Sequence, residues 1–243
     1  MCGPDFTAVY RFGDFDLQPV GPVHVAVPRG GQDTTEDLFQ SGSPASFERR
    51  GFTFHPARLD RAEQERIVSD LRGVVRAAPF FAPLTPWGKP MSVRMTSAGR
   101  YGWFSDRKGY RYVSAHPDGA PWPPIPGSIL SLWRELVSDA RLPDCCLVNL
   151  YRERARMGMH RDADEADFSW PVLSISLGDP ARFRIGGPSR KDPTETVGLA
   201  SGDVVVMGGP ARLAYHGIDR IRFGESDLLE GGGRINLTLR VVD

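Results

Sequence analysis

The chain has 243 residues, which is enough for one sizeable domain with a buried core and does not require a second. Its 30 basic and 30 acidic residues give a formal net charge of zero, so affinity for nucleic acid or a membrane must come from a local patch. The three cysteines form neither a spaced disulfide framework nor a CxxC metal pair, which favours a reducing compartment. Because the sequence shows no signal-like start and no long apolar run, we expect a cytoplasmic protein that does not enter a membrane.

The first half of the chain is predicted to hold an arm and two helices. Residues 1–48 mix Gly, Pro, Ser and Thr without a sustained period, which predicts an irregular or partly disordered arm, and residues 49–243 then form a single domain. A helix is predicted after Asp60, because Asp60 and Glu63 make a capping box. Its apolar residues recur at helical spacing, at Ile67, Leu71 and Val74, and Pro79 closes it.

A second helix is predicted from Ser128 to about Ala140. Its apolar stripe consists of Ile129, Leu132, Trp133, Leu136 and Val137. The intervening residues 82–126 are rich in Pro, Gly and aromatics. Both helices precede the residues with metal-binding chemistry.

Short β-type runs dominate from Cys145 onward. They are CCLVNLY, WPVLSISLG, ARFRIGG, GDVVVMGG, RLAYHGI and RINLTLRVV, separated by Gly and Pro turns. This pattern predicts an α+β fold in which residues 145–243 form a double-sheet barrel of the jelly-roll or cupin kind, fronted by the two helices. Such a barrel has one open mouth that can hold a site.

A candidate metal site is formed by His160, Asp162 and His216. On an extended segment His160 and Asp162 point the same way, and a later strand can add the second imidazole. Two His and one carboxylate leave three coordination positions open, as non-haem iron(II) oxygenases need, whereas zinc more often takes three protein ligands and a water. An HxD tripeptide also arises often by chance in surface segments.

The last predicted strand places polar residues at alternate positions. Arg234, Asn236 and Arg240 therefore share one face. Arginine holds carboxylates bidentately, so this face suits a dicarboxylate co-substrate such as 2-oxoglutarate. An amphipathic edge strand with a solvated basic face would give the same pattern. Asn149 and Tyr151 alternate in the same way and offer further hydrogen bonds, although an ordinary half-buried strand explains them equally well.

Residues 94–111 combine positive charge with aromatic rings. The basic residues are Arg94, Arg100, Arg107, Lys108 and Arg111, against Asp106 alone; the aromatic ones are Tyr101, Trp103, Phe104 and Tyr110. Basic groups follow phosphates and aromatic rings stack on bases, so the segment is a candidate nucleic-acid surface. A surface loop with some core aromatics is the alternative.

Seven segments of this sequence closely resemble the bacterial AlkB alkylation-repair dioxygenases. They are residues 91–93 (MSV), 109–112 (GYRY), 160–165 (HRDADE), 174–178 (SISLG), 202–206 (GDVVV), 215–218 (YHGI) and 234–240 (RINLTLR). The match runs from about residue 50 to the end. The resemblance implies a double-stranded β-helix core with a nucleotide-recognition lid, at about residues 82–126.

The resemblance also implies roles for single residues. Iron(II) would be bound by His160, Asp162 and His216, and 2-oxoglutarate by Asn149, Tyr151, Arg234, Asn236 and Arg240. The damaged nucleotide would be met by Trp103, Tyr110, Asp164 and Arg190, with Tyr112 holding its backbone. The reaction implied is oxidative demethylation of bases such as 1-methyladenine and 3-methylcytosine in single-stranded DNA, with release of formaldehyde, succinate and carbon dioxide.

A physical argument supports a cationic base as substrate. Methylation of a ring nitrogen makes adenine or cytosine cationic, and Asp164 would favour that form by Coulomb attraction if the segment after Asp162 stays extended. Extracting a base from the stack is cheapest in a single strand or a damaged pair. We expect the enzyme to act as a monomer.

Some features depart from the family pattern. Aromatics are expected where Ile235 and Met207 stand, Arg94 adds charge at the lid, the N-terminal arm is longer, and residues 225–233 form a lengthened loop. These differences bear on substrate access. Two alternatives therefore remain: the same chemistry on RNA, a protein or a small molecule, and a non-catalytic cupin-like binding module.

Overall fold

The computed structural model describes residues 44–138 and 141–243, so most of the predicted N-terminal arm, with Cys2, lies outside the described residues. In chain order the elements are β1 (Phe47–Arg49), β2 (Phe52–His55), α1 (Arg61–Ala77), β3 (Arg94–Gly99), β4 (Gly102–Asp106), β5 (Gly109–Val113), α2 (Gly127–Leu136), β6 (Cys145–Tyr151), β7 (Met157–His160), β8 (Val172–Gly178), β9 (Ala181–Ile185), β10 (Glu195–Leu199), β11 (Val204–Met207), β12 (His216–Ile221) and β13 (Arg234–Arg240).

Two antiparallel sheets form the body of the protein. The larger sheet has the order β1-β2-β11-β8-β13-β6-β3, and the smaller has the order β10-β9-β12-β7. Apolar side chains from both sheets form one buried cluster, which includes Phe52, Leu147, Phe183 and Ile218. This is the predicted α+β fold with a double-sheet, jelly-roll-like core.

The two helices cover the other face of the larger sheet. Ile67 and Leu71 of α1 and Trp133 of α2 pack in one cluster with Val148 and Leu237 of the sheet. Alternation along β13 directs Leu237 toward the helices and leaves Arg234, Asn236 and Arg240 on the opposite face, toward the smaller sheet.

Helix α1 begins as predicted. The Asp60 carboxylate accepts the N–H of Glu63, and the Glu63 carboxylate accepts the N–H of Asp60, which completes the capping box. Helix α2 begins at Gly127 and ends at Leu136, before the predicted end near Ala140, a residue outside the described range. Val137 is its C-cap residue and donates its N–H to the Trp133 carbonyl.

The β-structure extends beyond the predicted runs. Strands β1, β2 and β3, which precede residue 145, complete the larger sheet, and the short strands β7 and β10 belong to the smaller one. Strand β13 pairs with β8 and β6 on its two sides, so the alternative of a solvated edge strand is wrong. In the described residues, no helix has the length and apolar character needed to cross a membrane.

Candidate active site

Strand pairing brings the predicted metal ligands together. His160 ends β7, His216 begins β12, and the two are directly paired across the smaller sheet. Asp162 lies in the loop two residues after β7. One ligand atom from each of the three side chains lies within 4.8 Å of the others, so the set can hold one metal ion.

Backbone carbonyls orient both imidazoles. Nδ1 of His160 lies 3.0 Å from the carbonyl oxygen of Gly158, and Nδ1 of His216 lies 3.1 Å from that of Ala214. A carbonyl only accepts, so Nδ1 carries the proton and Nε2 of the neutral ring keeps a free lone pair. The two Nε2 atoms lie 3.7 and 3.9 Å from the oxygens of Asp162, where a shared metal would lie.

Burial and charge keep His216 and Asp162 in the protonation states that bind metal. Burial lowers the pKa of His216 to about 4, so its imidazole is neutral at pH 7. Burial alone would raise the pKa of Asp162, but the positive charge of Arg240, together with the histidines in their protonated forms, outweighs burial and holds the pKa well below its usual value. Asp162 is therefore a carboxylate, and its buried Oδ2 has no hydrogen-bond partner among the described residues.

A buried charge network lies behind Asp162. Arg240 places Nη2 2.8 Å from Oδ1 of Asp162, and its Nη1 donates to the Tyr112 hydroxyl at 3.1 Å. The hydroxyl of Tyr112 donates to Glu165 at 2.5 Å. Arg212 donates to the other oxygen of Glu165 at 3.0 Å and to the Asp162 carbonyl at 2.7 Å. The four charges are paired, and the network fixes the backbone that carries the metal carboxylate.

Sequence reasoning gave no role to Glu165 and Arg212. Glu165 lies in the HRDADE segment, but Arg212 is 47 positions away, and neither spacing nor periodicity connects the two. Tyr112, which is expected to hold the nucleotide backbone, belongs to the same network. Its hydroxyl is bound to Glu165 and Arg240, and it does not line the pocket that contains the metal ligands.

Arg234 is a buried cation without a carboxylate partner. Its side chain is 0% exposed. Nη2 donates to the Ser176 hydroxyl at 2.7 Å and Nη1 to the Asp179 carbonyl at 3.4 Å, and Nε has no hydrogen-bond partner in the described part of the chain. Burial lowers the pKa of Arg234 to about 10, which still leaves it charged at pH 7. A buried guanidinium with a free donor calls for an anion from outside the chain.

The remaining co-substrate candidates surround this cation. Tyr151 lies directly across from Arg234 in the β6–β13 pair, and Asn149 lies across from Asn236. The Asn149 side-chain amide is also a donor, and its nitrogen lies 3.5 Å from Oδ1 of Asn236. All of them line the same pocket of about 180 Å³ as the metal ligands. The donor set therefore fits a dicarboxylate that reaches from the metal to Arg234.

Aromatic and acidic side chains lie on the other side of this pocket. Trp103 and Tyr110, from the β4–β5 hairpin, are stacked with centroids 5.4 Å apart and planes 24° apart. The indole N–H of Trp103 donates to the Asp164 carboxylate at 3.1 Å, and all three residues line the pocket. Arg190 does not line it; it donates to the carbonyl of Met159, next to His160, at 3.0 Å.

A facial set of two imidazoles and one carboxylate, in a double-sheet barrel and beside an unpaired buried arginine, defines an iron(II) and 2-oxoglutarate-dependent oxygenase. Residues 51–240 match the sequence model of the 2OG-Fe(II) oxygenase superfamily.

Proteins of similar sequence and structure indicate the family within this superfamily. An alpha-ketoglutarate-dependent dioxygenase AlkB homolog of Caulobacter vibrioides (strain NA1000 / CB15N) is 57% identical over 191 residues, covering 78% of this chain and 87% of the relative. The alpha-ketoglutarate-dependent dioxygenase AlkB of Escherichia coli (strain K12) is 40% identical over 196 residues, covering 79% and 87%. The solved structure of OsALKBH1 matches with a TM-score of 0.68 at 29% identity, covering 80% of this chain and 98% of that one. The chain belongs to the AlkB family of the 2OG-Fe(II) oxygenase superfamily, and its cofactors are iron(II), 2-oxoglutarate and oxygen.

Proposed function

We propose that this enzyme removes methyl groups oxidatively from N-alkylated bases, such as 1-methyladenine and 3-methylcytosine, in single-stranded DNA. The observation that carries the proposal is the pairing of Trp103 with Asp164 in the pocket that holds the metal ligands. An aromatic face next to a carboxylate suits a flat, positively charged ring. The similarity to enzymes named AlkB supports the same substrate class.

The residues divide the work between two ends of the pocket. His160, Asp162 and His216 would hold iron(II), while Arg234 and Tyr151 would hold the distal carboxylate of 2-oxoglutarate. The bound cofactors supply the oxidation that hydroxylates the N-methyl carbon, with succinate, carbon dioxide and formaldehyde as products. Asn149, Asn236 and Arg240 would orient 2-oxoglutarate on the face of β6 and β13 that lines the pocket.

Recognition of the base would come from Trp103 and Tyr110 on its face and from Asp164 on its charge. A methyl group on a ring nitrogen makes the base cationic, and the exposed Asp164 carboxylate beside Trp103 favours it over the neutral base. Arg190 and Arg161, which lie 5.6 and 5.8 Å from the centre of the Tyr215 ring, add positive charge for the phosphates.

The preference for single-stranded DNA follows from the free energy needed to extract the base. Extracting a base from a duplex costs a few kcal/mol of stacking and pairing, which a single strand does not require in full. We also propose a cytoplasmic monomer; the predicted iron and 2-oxoglutarate ligands all line one pocket of a single chain, which supports the monomer.

The test is release of formaldehyde and succinate by anaerobically iron-loaded protein given oxygen, 2-oxoglutarate and an oligonucleotide with 1-methyladenine. DNA and RNA oligonucleotides of the same sequence are compared, with His160→Ala as the inactive control. Formaldehyde from DNA that requires both co-substrates and disappears in the variant supports the proposal. Faster release from RNA would overturn the DNA assignment. Succinate without formaldehyde would exclude these bases, and the absence of both products in iron-containing protein would favour a binding module.

A further inference from the structure

Trp87 is the most exposed large apolar residue among those the structure describes. It is 82% exposed, whereas the next, Tyr110, is 49% exposed. Burying a tryptophan ring stabilises a complex by several kcal/mol, so a ring this exposed gains much from a partner. Trp87 has no assigned role in the site described above.

A tight turn holds Trp87 in place. The Thr85 carbonyl accepts the N–H of Gly88 at 2.8 Å, and the Thr85 N–H donates to the Lys89 carbonyl at 2.8 Å. The Thr85 hydroxyl also accepts the N–H of Lys89 at 3.1 Å. Pro86 fixes the backbone before Trp87, and Gly88 has a φ of 78°, in the region that favours glycine. The ring therefore projects from a rigid backbone.

The turn is bound to the β4–β5 hairpin. Ser105 of β4 donates its hydroxyl to the Leu84 carbonyl at 2.6 Å and accepts the N–H of Leu84 at its own carbonyl at 3.1 Å. A Cβ built on Gly88 would lie 2.8 Å from Nε of Arg107, so the Arg107 side chain lies across this glycine. The turn and the hairpin thus form one surface.

This surface is positively charged. Lys89, Arg107 and Lys108 are exposed, and none of them makes an ion pair with a described residue. The nearby Asp106 does not neutralise them, because both of its oxygens bind Arg111 at 2.8 Å. The hydrogen bonds from Arg111 lower the pKa of Asp106 to about 2. One aromatic ring among three free cations suits a nucleic-acid strand better than an apolar protein partner.

The surface also lies within reach of the pocket. Met91, four residues after Trp87, and Tyr110, three after Arg107, both line the pocket. At no more than about 3.5 Å per residue, the backbone of Trp87 lies at most about 14 Å from that of Met91, a span of a few nucleotides at about 3.4 Å each.

We propose that Trp87 stacks on an undamaged base of the same strand, a few nucleotides from the base in the pocket, while Lys89, Arg107 and Lys108 hold the intervening phosphates. The proposal rests on the proposed function, since it requires a nucleic-acid substrate. Only a strand long enough to reach Trp87 gains this second contact. A long single strand therefore binds more tightly than a short one around the same damaged base.

The experiment measures anaerobic binding of iron- and 2-oxoglutarate-loaded protein to fluorescein-labelled oligonucleotides with one 1-methyladenine, as a trinucleotide and as a 15-mer. Trp87→Ala is compared with Phe223→Ala, which removes another exposed aromatic, and with Trp87→Phe, which keeps a stacking ring. We expect Trp87→Ala to weaken 15-mer binding roughly five- to hundredfold, as loss of one stacked base does, and to leave trinucleotide binding unchanged. Trp87→Phe should recover most of the affinity.

Equal 15-mer affinities for Trp87→Ala, Phe223→Ala and the unaltered protein would overturn the proposal. Equal losses on the trinucleotide and the 15-mer would also overturn it, because the turn would then act on the pocket itself. Formaldehyde release, measured on the same proteins, tests the proposed function separately. A protein that shows Trp87-dependent binding without formaldehyde would retain this contact and contradict demethylation.

Discussion

Arg234 is a single residue whose surroundings indicate an anion-binding site. A fully buried guanidinium is expensive unless an anion compensates it, yet the described residues give Arg234 only a hydroxyl and a carbonyl. We expect Arg234→Lys to raise the KM for 2-oxoglutarate about ten- to hundredfold, the equivalent of about 1.5–3 kcal/mol for charge-assisted hydrogen bonds. Lysine keeps the charge and loses the planar pair of donors. Initial rates of succinate formation at varied 2-oxoglutarate measure the change.

The matched control is Arg182→Lys, on the exposed surface of β9. It should leave the KM for 2-oxoglutarate within about twofold of the unaltered value, as surface changes do. An unchanged KM in Arg234→Lys would mean that the distal carboxylate binds elsewhere.

The adjacent cysteines give a second prediction at this scale. Cys145 and Cys146 are free thiols that are 0% exposed, and burial raises the pKa of Cys145 to about 12 and that of Cys146 as well. At pH 8 the reactive thiolate of Cys145 is therefore roughly one part in ten thousand. We expect iodoacetamide to leave the peptide containing both residues unmodified in native protein and to label it after unfolding, as read by mass spectrometry. Rapid labelling of native protein would contradict their burial.

At the scale of elements, the loop before β13 depends on one carboxylate. Asp179 is 0% exposed, and its oxygens accept the N–H groups of Gly224, Ser226 and Gly233 at 2.6–2.8 Å. Since Gly233 precedes Arg234, Asp179 sets where β13 begins. Asp179→Ala should lower the free energy of unfolding by about 3 kcal/mol, because one buried and two partly buried N–H donors lose their acceptor. Denaturant titration measures the change.

Asp219→Ala is the comparison for this prediction. The Asp219 carboxylate is bound instead by the side chain of Arg184, and this pair is partly exposed. Its loss should cost less than about 1 kcal/mol. Similar losses in the two variants would show that the loop is held by other contacts.

Elements with local signals were predictable from the sequence, and those without them were not. The start of α1 was predicted because Asp60 and Glu63 signal it within one turn. Strand β7 (MGMH) and strand β10 (ETVGL) were missed because both are short, and two alternating apolar residues in each are too few to predict a strand. Their positions come from pairing with β12 and β9, which no local pattern contains.

In the candidate site, too, the residues with a local sequence pattern were predictable and their long-range partners were not. Alternation along β13 placed Arg234 and Arg240 on one face, where the structure has them. The partners of Arg240 were not predictable, because Glu165, Tyr112 and Asp162 come from distant parts of the chain. The family resemblance implied roles for single residues, but it did not indicate that the Tyr112 hydroxyl binds Glu165 and Arg240.

At the scale of the whole molecule, the metal site depends on strand β2, which begins just after the predicted irregular arm. Phe52 of β2 is 0% exposed and lies between the sheets. Its ring centre is 5.9 Å from that of Phe183 and 6.2 Å from that of His216, so it fixes the second imidazole from behind. The β1–β2 hairpin therefore supports the metal site, although it supplies no metal ligand.

Replacing this ring should affect folding and metal binding together. We expect Phe52→Ala to lower the free energy of unfolding of the metal-free protein by about 3–5 kcal/mol, as for other buried aromatics, and to weaken iron(II) binding because the cavity lets the His216 ring move. Denaturant unfolding and anaerobic iron titration measure the two effects. Phe47→Ala in the same hairpin removes a ring that is 38% exposed and should change both much less. Unaltered iron affinity in a destabilised Phe52→Ala protein would separate the hairpin's packing from the metal site and show that backbone hydrogen bonding alone orients His216.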